Sequence, residues 1–534
     1  MRGGKKRTPV IHPFFFAIFP ILALYAYNIR SLPVALEELA GPLAASLGFA
    51  VVLFFAFRVT LKNSAKAGFL VSILFLWFLS FGHIANRISI WTGGIFNRSL
   101  FFATVVFVGV AAFFIVRSRR DFSGLTRVLN LVSVGLVLFN TASIAQTLVR
   151  RPHVVLDKQI SGTRHVTARP NIYYLVFDAY TRTDILQEVF EYDNAPFISA
   201  LESRGFFAAS KSYANYGFTY HSLASSLNFT YLDEVARDVG SASLNQEPLQ
   251  RMIRENRSMA FLKSQGYRLF CFTTSFGPGE IKNVDRSLGF KESTSEFRYA
   301  ALGLTPLPLF FDLGAGGSQY GAHRAHILDA FRVLRESPLL EGPFFFFVHL
   351  LSPHPPFVFG PDGEPVEPGY LYSTLDGDRM PGAGVEAIPD YLVRYRGQLA
   401  FINKKILEAV DAIVSRSPQS PIIILQGDHG SRAYAEFDHP EASYLKENLA
   451  ILNAYLLPGD SPPTVYPGIS PVNTFRLIFK RYFGADLDLL ADRSAWSTWR
   501  RPYVFIPFDE KEYTGTLASV RAKMKPKTSA HQER

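Results

Sequence analysis

An α/β protein hung on a membrane anchor is what the sequence predicts: a bundle of five apolar helices, then one domain with a mostly parallel central sheet. Three features carry that prediction. The first 150 of the 534 residues hold five apolar runs of bilayer length. Beyond residue 170, short runs rich in β-branched and aromatic residues alternate with helical stretches, the pattern of a doubly wound sheet. Between the two lies a sharp change in charge: residues 1–170 contain 19 Lys/Arg against 4 Asp/Glu, and the remainder 36 against 41.

The apolar runs fall near 10–29, 41–57, 67–86, 99–116 and 128–149. The first follows Arg2, Lys5, Lys6 and Arg7, as a signal peptide would. No small-residue cleavage site follows and four more spans do, which makes it an uncleaved anchor. One set of alternate loops collects eleven basic residues (Arg2, Lys5, Lys6, Arg7, Arg58, Lys62, Lys66, Arg117, Arg119, Arg120 and Arg127), the other set three, Arg30, Arg87 and Arg98. The richer side is cytoplasmic, so the N-terminus lies inside and five crossings place the chain after Arg150 beyond the cytoplasmic membrane. The net charge of +10 is then a topology signal, and no nucleic-acid partner is implied. Cys271 is the only cysteine, so no internal disulfide forms; Leu269-Phe270-Cys271-Phe272 reads as a buried strand without a chemical role.

The expected organisation is a transmembrane domain over 1–150, a juxtamembrane connector over 151–170 with a short interfacial helix around 154–160, an exported domain over 171–508 and a flexible tail over 509–534. In the exported domain the first strand, 172–177, is followed by Asp178. A helix is expected over 183–204, and residues 213–227 read as a loop running into a second helix, with Thr219 at or near its start. Further strands are expected at 267–272, 344–349, 421–425, 449–457 and 503–506, and helices near 247–264, 321–336, 390–416 and 471–483. Residues 358–388, rich in Gly, Pro and Asp, read as a long surface loop lining a cleft.

Polar residues collect where the strands end. The apolar run Pro421-Ile422-Ile423-Ile424-Leu425 leads into Gln426-Gly427-Asp428-His429-Gly430, and ligands gather at the carboxyl ends of strands in open α/β sheets. Asp178 occupies the same position after the first strand. Two carboxylates and an imidazole provide three ligands for a divalent cation such as zinc or manganese, with a position left open. Thr219 is placed where a cation and a helix N-terminus both favour its alkoxide. His354, in Ser352-Pro353-His354-Pro355-Pro356-Phe357, follows the Phe-rich strand in a proline-fixed loop and is placed to contact a substrate oxygen or protonate a leaving group.

Plainer readings stand beside these. Asp178 and Thr219 also fit as helix caps, with Ser222 and Thr230 as neighbouring hydroxyls. His349, inside the strand, reads as a core residue and is passed over in favour of His354. His221, two residues along the helix from Thr219, faces away from it and reads as a packing residue. Arg432 serves either to bind phosphate or to form a surface salt bridge. Lys211 and Asn215 precede the threonine, and the run 344–347 is core.

The order strand-Asp, loop-Thr-x-x-Ser, His-Pro-Pro-Phe, strand-Gly-Asp-His-Gly resembles the alkaline phosphatase/sulfatase superfamily. It is most similar to the membrane-anchored bacterial branch of lipoteichoic acid synthases, phosphoglycerol transferases and phosphoethanolamine transferases. The resemblance extends from the spans to about residue 508. It implies an α/β sulfatase-like fold and one zinc or manganese ion held by Asp178, Thr219, Asp428 and His429. It makes Thr219 the nucleophile with Ser222 three residues on, and His354 a substrate-contacting histidine. His439 corresponds to a second histidine of some members, at a different spacing, and joins His354 and Arg432 as a substrate-binding candidate. The transferases usually carry Glu where this chain has Asp178. The Cys/Ser-x-Pro-x-Arg motif of sulfatases proper is absent: Tyr220, His221, Ser222 and Leu223 follow Thr219.

By the resemblance, the reaction is transfer of a phospho-head-group, phosphoglycerol or phosphoethanolamine in type, from a phospholipid donor to an envelope glycan or lipid through a phosphothreonine. It takes place on the periplasmic face of a bacterial inner membrane. A phosphodiesterase or phosphatase, less readily a sulfuric-ester hydrolase, uses the same residues with water as acceptor. A non-catalytic envelope scaffold is the alternative of another class, opposed by the full set of site residue types.

Overall fold

In a computed structural model of the chain, the described residues are 8–29, 36–92, 97–149, 160, 169–272, 281, 283–289, 296–311, 319–366, 388–436, 438–459 and 464–523. All but the last residue of the interfacial helix expected around 154–160, and residues 367–387 of the expected 358–388 loop, lie outside them. The chain divides into two compact units: Met1–Arg151 with Ser293–Gly317, and Pro152–Glu292 with Ser318–Arg534.

The first unit is helical: α1 (His12–Asn28), α2 (Glu37–Leu61), α3 (Ser64–Phe78), α4 (Phe81–Thr92), α5 (Asn97–Arg117) and α6 (Ser123–Val149). Among the described residues, three helices are long and apolar enough to cross a membrane: Glu37–Leu61, Arg98–Arg117 and Ser123–Val149. The first and third expected runs form shorter apolar helices, and the third is broken between α3 and α4. Two polar contacts cross between helices of the bundle. His12 Nδ1 lies 2.7 Å from Ser72 Oγ, and Asn130 Oδ1 accepts from the backbone N–H of Ile11 and His12 at 3.2 and 3.0 Å.

A segment from the middle of the sequence also belongs to this unit. Its helices Glu296–Gly303 and Pro308–Phe311 bring Phe297 against Tyr25 (ring centroids 5.5 Å apart) and Phe310 against Phe101 (5.0 Å). The N–H of Gly82 donates to Leu304 O at 2.8 Å. A Cβ on Gly82 would meet the carbonyl oxygen of Gly303 at 1.8 Å, so only glycine permits this approach.

Among the described residues, the second unit holds nine strands: β1 (Ile172–Phe177), β2 (Phe207–Ala208), β3 (Arg268–Phe272), β4 (Arg286–Leu288), β5 (Phe344–Leu350), β6 (Ile422–Gly427), β7 (Asn453–Leu456), β8 (Ser494–Thr498) and β9 (Arg501–Phe508). Seven form one sheet in the order β2-β7-β6-β1-β5-β3-β4, parallel from β6 through β4; β7 runs antiparallel to both β6 and β2. The sheet is thus mixed, parallel at its centre, with an antiparallel edge. β1, β5 and β6 are buried along their whole length, which is why they read as unbroken apolar runs.

Several boundaries differ from expectation for local reasons. The helix expected over 183–204 is two, Thr183–Phe190 and Ala195–Glu202, separated at Asp193-Asn194 with Pro196 starting the second. That expected over 247–264 breaks where Asn256 caps a new helix, its side chain accepting from Met259 N–H at 2.8 Å. The strand expected over 449–457 is only β7, because Leu445–Leu449 is helical. The stretch expected at 503–506 lies in β9, which pairs with β8 outside the main sheet. Within the tail expected over 509–534, Leu517–Lys523 is helical and its Leu517 and Val520 join the core of this unit, while 524–534 lie outside the described residues.

Candidate active site

Because β1 sits between β5 and β6 in parallel register, the three chains leave the sheet side by side. Phe177 pairs with Leu350 on one flank and Gly427 on the other, so the next residues out, Asp178 and Asp428, are brought together. Ligand atoms of Asp178, Asp428 and His349 lie within 4.8 Å of one another. His429 Nε2 stands 3.4 Å from Asp178 Oδ1 and 3.6 Å from Asp428 Oδ2. Its Nδ1 is 2.8 Å from Gly430 O, which calls for a hydrogen on Nδ1 and leaves a lone pair on Nε2, aimed into the group.

Thr219 begins the helix Thr219–Asn228. The residue in the capping position is Phe218, in extended conformation, so the Thr219 hydroxyl is not used as a cap. Thr219 Oγ1 instead lies 3.2 Å from His429 Nε2. The Ser222 hydroxyl, one turn on, is buried and donates to Asp428 O at 2.6 Å, which fixes the ligand loop to the helix. Asp178, Thr219, Asp428 and His429 are thus neighbours in space.

The electrostatics are those of a cation site. Burial and the nearby Asp178 charge push the Asp428 carboxyl up to about 7. Burial also acts to raise Asp178, but His354, His349 and His429 outweigh it and hold that carboxyl well below the usual range. Burial and the Arg432 charge keep His429 neutral, its pKa far below an ordinary imidazole's. Asp178 Oδ1 and Asp428 Oδ2 are buried with no hydrogen-bond donor among the described residues. Two buried acceptor oxygens, an imidazole lone pair and a hydroxyl oxygen converge, and such a set fits a divalent cation of the zinc or manganese type.

His349 is the residue that sequence reasoning placed in the core. It is buried, but its Nε2 lies 3.3 Å from Asp178 Oδ2, and that carboxylate raises its pKa against the opposing effect of burial. Its register partner Val176 lies two residues before Asp178, which puts the imidazole at the mouth of the sheet. The signal available was the pair His349-x-x-x-x-His354 straddling the end of a strand. His354 is also at the site: its backbone N–H donates to Asp178 O at 3.0 Å, and its ring centroid lies 6.3 Å from that of His429. Its Nδ1 is in short contact with Pro355 O, so the hydrogen sits on Nδ1 and Nε2 is left for chemistry.

Arg432 is buried at 5 % exposure, which removes the surface salt-bridge reading. Its guanidinium covers the Phe218 ring at 4.8 Å, donates to Gly217 O at 2.7 Å and reaches within 3.1 Å of His429 Nε2. The loop bearing it wraps the buried carboxylate of Glu447, which accepts from Ser431 Oγ, Ala433 N–H and Tyr434 N–H at 2.6–2.8 Å. His439 is not brought into the group. Beyond the Glu447 wrap the chain turns outward, and His439 is exposed with its Nδ1 3.0 Å from Glu441. Asn215 ties down Val472 and Arg493 as a buried strut, Lys211 is exposed, and His221 is buried with its Nε2–H donating to Pro502 O at 2.7 Å.

Among known proteins, no family model matches this chain, and no curated protein matches it. Solved structures do resemble it. The C-terminal periplasmic domain of EptC from Escherichia coli shares 12 % identity with a TM-score of 0.41, over 66 % of this chain and 96 % of that one. The corresponding domain of the phosphoethanolamine transferase EptC from Campylobacter jejuni gives 12 % and 0.36, over 61 % and 92 %. The phosphonate monoester hydrolase of Agrobacterium radiobacter gives 14 % and 0.39, over 61 % and 80 %. At this level of similarity nothing about activity is transferred from them.

Proposed function

We propose that this chain is a membrane-embedded, cation-dependent phospho-head-group transferase of the alkaline phosphatase/sulfatase superfamily. The observation that carries the reading is the convergence of Asp178, Asp428, His429 and Thr219 Oγ1 beyond the ends of β1 and β6. Five crossings, by α1, α2, α3, α5 and α6, anchor it in a bacterial inner membrane with the site on the periplasmic side. A phospholipid already in that membrane is the donor, and an envelope glycan or lipid is the acceptor.

Asp178, Asp428, His429 and Thr219 would hold the ion. Zinc or manganese, when bound, lowers the pKa of the threonine hydroxyl and offsets charge on the phosphoryl oxygens. Thr219 Oγ, as the alkoxide whose proton has passed to solvent, attacks the phosphorus from the start of its helix, where the backbone dipole favours negative charge. The new Oγ–P bond forms as the bond from phosphorus to the diacylglycerol oxygen breaks. The imidazolium form of His354, with a hydrogen on each ring nitrogen, gives that leaving oxygen its Nε2 proton, while Arg432 pairs with the phosphoryl oxygens. In the second half the acceptor hydroxyl attacks the phosphothreonine, His354 takes its proton back, and Thr219 is restored.

Incubating the protein with donor lipid and no acceptor tests this. Mass spectrometry is expected to find a head-group phosphate on the peptide containing Thr219. The same adduct on Ser222 or Ser225 would assign the wrong nucleophile, and head group released into water at full rate would make the protein a hydrolase.

A further inference from the structure

We propose that one face of the helix Ile388–Arg416 positions the whole site, and that Tyr395 acts on the cation ligands through the backbone of Ala179. The inference rests on the reading of Asp178, Asp428 and His429 as cation ligands. Tyr391, Tyr395 and Gln398 fall at i, i+4 and i+7, hence on one face of that helix. All three side chains are buried. Each engages a different loop leaving the sheet. Tyr391 Oη accepts from Arg432 N–H at 3.4 Å, in the loop after β6. Tyr395 Oη donates to Ala179 O at 2.7 Å and accepts from Thr181 N–H at 3.2 Å, in the loop after β1. Gln398 Nε2 donates to Pro353 O and His354 O, both at 3.2 Å, and its Oε1 accepts from Val358 N–H at 2.8 Å, in the loop after β5. One rigid element therefore spans the three loops that carry Arg432, Asp178 and His354.

The middle contact has the most direct line to the ligands. Ala179 has φ 61°, a left-handed conformation that a residue with a Cβ adopts only under constraint. In that conformation its N–H donates to Asp428 Oδ1 at 3.2 Å, so the peptide next to one carboxylate orients the other. The Tyr395 hydroxyl holds the carbonyl end of the same residue. Its ring has little freedom, being stacked on Phe190 at 4.4 Å between centroids and nearly parallel to Tyr391 at 12°. Without that hydroxyl, Ala179 is free to relax toward negative φ, drawing its N–H from Asp428 and turning Asp178 with it. Tyr395 is in this sense a positioning residue, acting through the backbone of Ala179.

The test uses full-length protein in detergent and zinc alone, with affinity measured by competition against a zinc chelator. Tyr395→Phe, the loss of one oxygen, is expected to weaken zinc binding about 10–100-fold, the range for a partner that orients metal ligands. Ala179→Gly removes the cost of positive φ, so Tyr395→Phe/Ala179→Gly is expected to recover most of that loss. Ala179→Val raises the same cost and is expected to weaken zinc with Tyr395 intact, giving an independent route should Tyr395→Phe fold poorly. Gln398→Met, acting on the loop of His354, is expected to hold zinc within threefold of wild type and to lower turnover. Unchanged affinity in Tyr395→Phe, or a loss that Ala179→Gly leaves in full, would overturn the inference. Wild-type protein that binds no zinc or manganese would instead overturn the cation-site reading beneath it.

Discussion

Removing one charge from the site is expected to stabilise the ion-free protein while destroying its affinity for the ion. Asp428→Asn keeps the side chain's shape, and Oδ1 can still accept from Ala179 N–H. The substituted amide also offers a donor where Asp428 Oδ2 now faces Asp178 with none. With ligand atoms within 4.8 Å, two full charges repel by about 3 kcal/mol at an effective dielectric constant near 20. The pH dependence follows from the Asp428 carboxyl, raised to about 7 by burial and by Asp178. Over the window from about pH 4, where the unfolded carboxyl ionises, up to about pH 7, the folded state holds a proton that the unfolded state has released. The ion-free wild type therefore loses stability as pH rises through that window, and Asp428→Asn does not. Thermal unfolding of chelator-treated protein in detergent reads the difference. For a unit of this size about 0.7 kcal/mol corresponds to one degree, so the variant is expected to melt about 4 °C above wild type at pH 8 and level with it at pH 4. Adding zinc should invert the order at pH 8, because only wild type gains from binding. A variant that melts lower than wild type without ion at pH 8, or gains as much at pH 4, would refute the idea of two carboxylates repelling across the site.

Three further outcomes are expected. Ser222→Ala should lower stability by about 1 kcal/mol by freeing the Asp428 carbonyl, with activity reduced far less than in Thr219→Ala; equal losses in turnover would give Ser222 a chemical role. Arg432→Lys should lose the contacts to Gly217 and Phe218 and raise KM for the phosphate-bearing donor about tenfold, and an unchanged KM would remove Arg432 from substrate binding. A phosphatase reporter fused after Arg151 should be active outside the cytoplasm and one fused near Lys62 silent; the reverse would overturn the assigned topology.

What the sequence revealed depended on whether a residue's role is local. Asp178 and the Asp428-His429 pair end runs that read as buried strands, so their place at the carboxyl end of the sheet follows from strand polarity alone. Thr219 was legible because a helix start is legible. His349 was not, since β5 is buried on both faces and no alternation marks which side chains point out of the sheet's end. Only the register with β1 puts it beside Asp178. His439 misled in the opposite way. It follows the Asp428-His429 pair as a second histidine does in some relatives, though at a different spacing, but the Glu447 wrap, formed by a carboxylate farther along the chain, turns the intervening loop outward. The helix Leu517–Lys523 offers two apolar side chains among polar neighbours, too little for a pattern, yet both are buried against a core made elsewhere.

The stretch Ser293–Gly317 bears on how separable the two units are. The chain leaves the helical unit after Arg151, re-enters it at Ser293 and leaves again after Gly317. The sheet-bearing unit is thus no cassette that can be cut off at one point and exchanged for another. A fragment beginning at Asn171 would carry Phe297 and Leu304, which are buried within the helical unit, into water without their partners, along with Phe310, which rests on Phe101 there. Apolar surface released in that way promotes aggregation. A soluble form of the sheet-bearing unit therefore calls for two edits, one at the connector and one replacing 293–317, and a protease that cuts only the connector would leave the halves joined.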